Sequence, residues 1–315
     1  MEKYILENKI LKHVILFLIL LSLSSCQSSF IKKIYKFRLQ EPEPITNDIR
    51  VALVLGGGGA RAIAQIGVIE VLQQNNIPID MVIGTSGGSV IGALYADNPN
   101  IENLKKIGLN FKKSELIKLS LKDAIEGTTT LRGGFDGSLG EKFLNENLSA
   151  KDFKDLKIPF IAIATDIKSG KTIALRSGKI SPAVRASCSI PGLFSPVEIY
   201  DMILVDGGVT APLAVDEAKK YNPELIIAVD VSMPIKEENI TNMFELAHRA
   251  ANISYIALTE LNGKSADILI KPQINDVGIF DDHKNNELYI EGKKAAEKLL
   301  PKIKSMLKIR LKNSK

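Results

Sequence analysis

Gly84-Thr85-Ser86-Gly87-Gly88 constrains this chain more than any other stretch. It has the form G-x-S-x-G. The apolar run Met81-Val82-Ile83 precedes it, and an Ala/Leu/Tyr-rich run of helical character, Val90 to Ala96, follows. Strand, sharp turn and helix must therefore meet within the motif. Gly84 and Gly88 let the backbone pass close on both sides without a Cβ clash. The serine at the apex then points its Oγ off the sheet, toward substrate. The plain alternative is a Gly/Ser turn without chemistry; the context and two further glycine motifs favour a nucleophile elbow.

The first of those motifs stands one strand upstream. Val51–Leu55 is a continuous apolar run, the pattern of a parallel strand buried on both faces. Gly56–Gly59 is a glycine loop, and Ala60–Gln74 follows with Ile63, Ile66, Ile69 and Leu72 at helical spacing. Ile77–Ile83 is the next strand. Strand, helix, strand implies a right-handed crossover. Further strands are predicted at Ile158–Thr165, at Lys171–Arg176 in a hairpin with it, at Tyr200–Val205, Leu225–Val231 and Asp267–Ile270. Helices are predicted at Pro182–Ser187, Met243–Leu261 and from Asn286 to about Lys308. The alternation specifies a three-layer α/β/α domain over 49–315 with a mainly parallel central sheet. Residues 97–157 are more polar, with helices expected at Ile101–Leu109, Leu116–Ile125 and, behind a Ser138/Glu141 capping box, Ser138–Asn147. This region is either a lid over the site or a plain helical layer.

The N-terminus reads as a targeting segment. Lys3, Lys9 and Lys12 precede the apolar run Val14–Leu21, too short for a mature membrane span, and Leu23-Ser24-Ser25-Cys26 follows. This ending resembles a bacterial lipoprotein signal, which implies that residues 1–25 are removed, that Cys26 is lipidated, and that the protein is anchored in the cell envelope. By resemblance to the sorting rule of Gram-negative lipoproteins, Gln27 rather than Asp after the cysteine implies the outer membrane. A simple secretory site or an uncleaved anchor is the alternative. Residues 26–48 form a tether, with Lys32, Lys33, Lys36 and Arg38 ahead of Glu41-Pro42-Glu43-Pro44. Its basic patch either touches headgroups or is simply solvated.

Composition excludes several classes. The net charge of +5 is spread along the chain, and no nucleic-acid-binding motif accompanies it. The two cysteines, Cys26 and Cys188, form no C-x-x-C, which removes thioredoxin and metal-ligand readings. Cys188 reads as a small buried hydrophobe. The sequence assigns no metal, no cofactor and no oligomeric state.

What remains is acyl transfer. The glycine loop, the elbow and Asp206-Gly207-Gly208 all stand at carboxyl ends of strands, where ligands gather in open α/β sheets. Ser86 needs a base, and Asp206 can supply one once a cleft raises its pKa. Backbone N–H groups of the glycine loop can stabilise an oxyanion, a methyl on Gly58 standing where that oxygen approaches. Arg61 either adds positive potential there or holds the loop by hydrogen bonds.

Four stretches together, 53–61, 83–88, 183–192 and 205–208, resemble the patatin-like phospholipases, in that family's order. The resemblance covers roughly residues 50–232. It implies a patatin-like fold and a Ser86/Asp206 dyad without histidine. It further implies Gly57, Gly58 and Gly59 as oxyanion glycines, Arg61 as loop arginine, and metal-free hydrolysis of lipid acyl esters through an acyl-serine. Two positions depart from the family pattern: Ala62 replaces a glycine, and Gln65 stands where bacterial members often carry histidine. Rival readings are a dinucleotide fingerprint on Gly57-x-Gly59-x-x-Ala62, a Ser-Asp-His triad using His248 or His283, and a silent envelope-tethered protein that binds lipid or a partner.

Overall fold

Each of the five residues of β1 (Val51–Leu55) is buried, because the strand lies inside the sheet and both its faces are covered. The structure is a computed structural model and describes residue 45 and residues 48–115, 134–199 and 201–313. The expected helix 116–125, the signal segment, Cys26 and most of the tether lie outside those residues.

The sheet has eight strands. β1 pairs in parallel with β2 (Met81–Thr85) on one side and β7 (Leu225–Val229) on the other; β8 (Ile268–Ile270) continues in parallel beyond β7. β3 (Phe160–Asp166) runs parallel to β2. The hairpin partner β4 (Lys171–Leu175), β6 (Met202–Asp206) and β5 (Val197–Ile199) are antiparallel additions at that side. The mainly parallel sheet is as expected. β5 is not, because its residues follow a Pro/Gly-rich loop and only their pairing with β6 makes them a strand.

Helices cover both faces. Ala52, Val54, Ile83, Ile161 and Ala228 form one apolar face, packed against residues 211–218 and so against α6 (Val215–Lys219). On the other face, α2 (Gly87–Asp97) sits so close that a Cβ on Gly92 would meet Phe160 and Val82. α1 (Ala64–Gln74), α3 (Ile101–Leu109) and the long C-terminal α8 (Asn285–Asn313) pack together. Gly67 and Gly292 let α1 and α8 touch backbone to backbone; a Cβ on either would strike the other helix's main chain. Glu70, 3% exposed, ties the three helices through Lys105 (3.0 Å), Lys293 (2.8 Å) and Tyr289. α4 (Ser138–Asn147), α5 (Ile180–Ser187) and α7 (Met243–Gly263) complete the helices used below.

Some boundaries move for local reasons. The helix expected from Ala60 opens as a 3-10 turn, Gly59–Ile63, because Gly58 O takes the Arg61 N–H three residues on. β2 starts only at Met81, since the Ile77 N–H turns back to Leu72 O to close α1. The capping box on Ser138 does not form. Gly137 is the N-cap at φ 73°, the Ser138 hydroxyl donates to Asp136, and Glu141 pairs with Arg185 instead.

Candidate active site

Two strands end head to head along one edge of β3. Ile163 pairs with Thr85 of β2, and the next residue, Ala164, pairs with Asp206 of β6. The opposite edge of β3 belongs to β4, which takes Ala174 and Ile173 at the same two positions. β2 and β6 therefore run toward each other, and their last residues meet. Ser86 follows Thr85 directly. This register is what brings Ser86 and Asp206 together from distant parts of the chain.

Ser86 is held in a conformation that side chains avoid, φ 52° and ψ −127°. Among the described residues, the other non-glycines with positive φ are Asn76, Asn222 and Asp276, types that tolerate it; Ser86 is not such a type, so the turn stores strain at the apex. The flanking glycines make it possible. A Cβ on Gly84 would lie 2.5 Å from Gly88 O, and one on Gly88 would strike Leu55 O. The Ser86 N–H donates to Ser187 Oγ at 2.9 Å, and its carbonyl accepts from Ser89. α2 begins at Gly87, immediately after the serine and three residues earlier than expected.

Asp206 is 5% exposed. Its Oδ1 accepts the Gly208 N–H at 2.7 Å. Oδ2 is buried and has no hydrogen bond of full geometry, yet the Ser86 hydroxyl is near enough to favour the ionised form. Burial pushes the carboxyl up to about 6; the hydroxyl and the Gly208 N–H pull it only part of the way back. A base in that range is partly proton-free at neutral pH and stronger than an ordinary aspartate.

The glycine loop abuts the elbow: a Cβ on Gly87 would lie 2.6 Å from Gly59 O and 3.2 Å from Gly59 N. The three glycines differ in role. The Gly57 N–H donates to Pro212 O at 3.0 Å, so it is not available to an oxyanion, contrary to the sequence expectation. Among the described residues the Gly58 and Gly59 N–H groups have no partner and are the available donors. A methyl on Gly58 would not stand in the oxyanion's path either. It would meet Val231 Cγ2 at 2.7 Å, behind the loop. Gly59 needs its freedom, with φ 59° and Ile279 packed where a Cβ would go.

Arg61 holds the loop, donating from Nε to Gly58 O at 3.0 Å, while burial lowers its pKa and nearby Tyr255 and Asp230 only partly oppose this. The two departures are absorbed. Ala62 sits in the 3-10 turn without positive φ. Gln65, fully buried, donates to Gly56 O at 2.7 Å and braces the loop from below. Cys188 is near Ser89, 3.8 Å from Sγ to Oγ, and burial holds its thiol at about 12, hence neutral. His283 is 90% exposed beside Asp282, and His248 is exposed on α7; neither reaches Ser86 or Asp206. Sequence reasoning missed Ser187 and Tyr255. Ser187 lies inside one of the quoted motifs, but nothing local marks Tyr255.

A cavity opens over Ser86, lined by apolar groups that include Ile63, Ile91, Leu94, Phe111, Phe143 and Phe280. Phe111 and Phe143, edge to face at 5.4 Å, come from the region 97–157, whose described part walls the cavity. A slot with apolar walls and a serine at its floor suits a hydrocarbon chain whose ester carbonyl lies at the serine.

Fold and site together define an α/β protein with a serine elbow opposed by a buried carboxylate. The profile of the patatin-like phospholipases matches residues 53–219, and the chain belongs to that family. It is 28% identical over 313 residues to lysophospholipase NTE1 of Scheffersomyces stipitis, covering 86% of this chain and 20% of that protein. It is 34% identical over 183 residues to patatin-like phospholipase domain-containing protein 6 of Mus musculus, covering 58% of this chain and 13% of that one. The chain thus spans about a fifth or less of these curated relatives. The crystal structure of VipD from Legionella pneumophila shares the fold, with TM-score 0.51 and 13% identity, over 90% of this chain and 73% of that one.

Proposed function

We propose that the protein hydrolyses acyl esters of lipids, with Ser86 as nucleophile and Asp206 as its base. The observation that carries this is the meeting of β2 and β6 on β3, which sets a strained serine beside a buried carboxylate with one uncommitted oxygen. Asp206 takes the hydroxyl proton as Ser86 attacks the ester carbonyl. The Gly58 and Gly59 N–H groups stabilise the oxyanion, helped by the N-terminus of α2. Collapse releases the alcohol, which leaves with the proton Asp206 had taken, and an acyl-serine remains. Asp206, again proton-free, then draws a proton from the water that attacks the acyl-serine and passes it to Ser86 Oγ as the fatty acid leaves. The apolar cavity holds the acyl chain. Relatives named lysophospholipase make a monoacyl phospholipid the first substrate to assay.

The test compares wild type, Ser86→Ala and Asp206→Asn on lysophosphatidylcholine, phosphatidylcholine and triacylglycerol. A serine-directed fluorophosphonate probe runs in parallel. Hydrolysis and labelling in wild type, both lost in Ser86→Ala, support the reading. Absent labelling of folded wild type points to a silent binding protein.

The lipid anchor belongs to the same proposal and rests on Leu23-Ser24-Ser25-Cys26. Cys26→Ser is expected to leave unprocessed precursor; a variant processed and fractionating like wild type removes the anchor.

A further inference from the structure

Tyr255 lies on α7, whose first half is thinly attached: Met243 is 77% exposed, Leu246 46% and Ile253 44%. From the protein-facing side of that helix, its side chain reaches both halves of the site. The position a Cβ would take on Gly208 is 2.7 Å from Tyr255 Cε2 and 3.0 Å from Asp206 Oδ1. The ring therefore covers the Gly208 peptide whose N–H fixes Asp206. The corresponding position on Gly57 is 2.8 Å from the Tyr255 hydroxyl and 3.2 Å from Ser86 Cβ. Only glycines at 57 and 208 leave room for this side chain. The Tyr255 residue is half-buried, and among the described residues its hydroxyl has no hydrogen-bond partner.

We propose that Tyr255 is a positioning residue: its ring keeps water off the Asp206 carboxylate, and its hydroxyl fixes the spacing between the Gly57 side of the loop and Ser86. The inference rests on Asp206 being the base. The groups around the carboxylate can be named. The Ser86 hydroxyl and Gly208 N–H favour its charge, and the neutral Cys188 thiol faces it from the end of α5. Tyr255 faces it from α7, with Arg61 and Asp230 acting on the phenol in opposite senses. Burial and the Asp206 charge push the phenol's pKa up, so it stays neutral and covers the site without adding charge.

The experiment uses the full chain, a soluble short-chain nitrophenyl ester and a pH series from 4 to 9, with Tyr255→Phe and Tyr255→Ala. Wild-type kcat/KM is expected to fall on the acid side, with a limb near pH 6. Tyr255→Phe keeps the ring and is expected to keep that limb, with kcat down about tenfold as the loop loosens. Tyr255→Ala admits water. Its limb is expected to move down by at least one pH unit, with kcat at pH 8 reduced about 10²-fold, about tenfold from the weaker base and about tenfold from the loosened loop. An Ala variant with unchanged limb and kcat overturns the proposal, and so does a Phe variant whose limb drops by a full unit. Should Tyr255→Ala not fold, Tyr255→Leu takes its place: a cover of lower area must shift the limb the same way, and an unmoved limb counts against the ring. Asp206→Asn in the same assay separates the two readings. If it stays active, the base assignment fails; if it is inactive while the Tyr255 variants behave as wild type, only this inference fails.

Discussion

Asp206→Asn is expected to stabilise the protein while abolishing its activity, and the effect should depend on pH. The carboxyl moves from an ordinary 3.8 to about 6 on folding. At 1.36 kcal/mol per tenfold, that difference disfavours the ionised native state by about 3 kcal/mol. The sign follows from the two protonation states. Below 3.8 the group is protonated folded and unfolded, and nothing is lost. Above 6 it is ionised in both, and the native state bears the full cost. Asparagine removes that cost. Its Oδ1 still accepts the Gly208 N–H, and its amide replaces an Oδ2 whose approach to the Ser86 hydroxyl falls short of full hydrogen-bond geometry. The buried amide donor takes back about 1 kcal/mol. The net gain is about 2 kcal/mol at pH 8, or a rise in Tm of about 4–8 °C, and a small loss at pH 4. Thermal melts of wild type and Asp206→Asn at the two pH values measure it, alongside ester hydrolysis at pH 8. An equal Tm difference at both pH values, or a lower Tm at pH 8, refutes the reasoning that burial costs the native carboxylate.

Three further outcomes follow from the same contacts. Gly58→Ala pushes on Val231 and displaces the loop, with kcat down about 10²–10³-fold; Gly58→Ala combined with Val231→Ala should recover most of it in a steady-state assay. Glu70→Ala removes the junction of α1, α3 and α8 and should cost about 2–4 kcal/mol in urea unfolding, the partly exposed lysines rehydrating. Burial pushes the Glu70 carboxyl up, but hydrogen bonds from Lys293, Tyr289 and Lys105 outweigh it and hold the pKa low. Glu70's contribution is therefore present above about pH 4.5 and lost as pH falls through its lowered native value, which a pH series of wild-type and Glu70→Gln unfolding would show. His283→Ala and His248→Ala should keep kcat within about tenfold, since both side chains face solvent; a folded but inactive variant restores the triad.

The parts read correctly from sequence are those whose cause is local. Val51–Leu55 is apolar throughout because it is buried on both faces, and Gly84 and Gly88 stand where the backbone of the elbow must pass close. The place of Asp206 at a strand end is legible because a strand pattern runs straight into Asp-Gly-Gly. The errors concern partners that sequence order hides. Nothing near Gly57 shows that Pro212 O takes its N–H. Nothing in Val197–Ile199 makes a strand until Met202–Asp206 lies beside it. Tyr255 reads as one more residue on the covered face of a helix. Which side chain stands opposite depends on tertiary packing, not on period.

Ile49 and Arg50 enter β1 at the end of the sheet remote from Ser86, where Arg50 pairs with Asp80 at 2.8 Å. A lipid on Cys26 would thus hold the enzyme by its back. If Cys26 carries the proposed lipid, the 22 residues 27–48 allow a reach of at most about 75 Å by chain length alone, and some of that reach would be needed to bring the opening over Ser86 to the anchoring leaflet. On that proposal, tether length would set which lipids are within range. Excising residues 30–44 should leave hydrolysis of a soluble ester intact and abolish hydrolysis of lipid in the anchoring leaflet, so that the shortened enzyme acts only on what reaches it from solution or from a facing membrane.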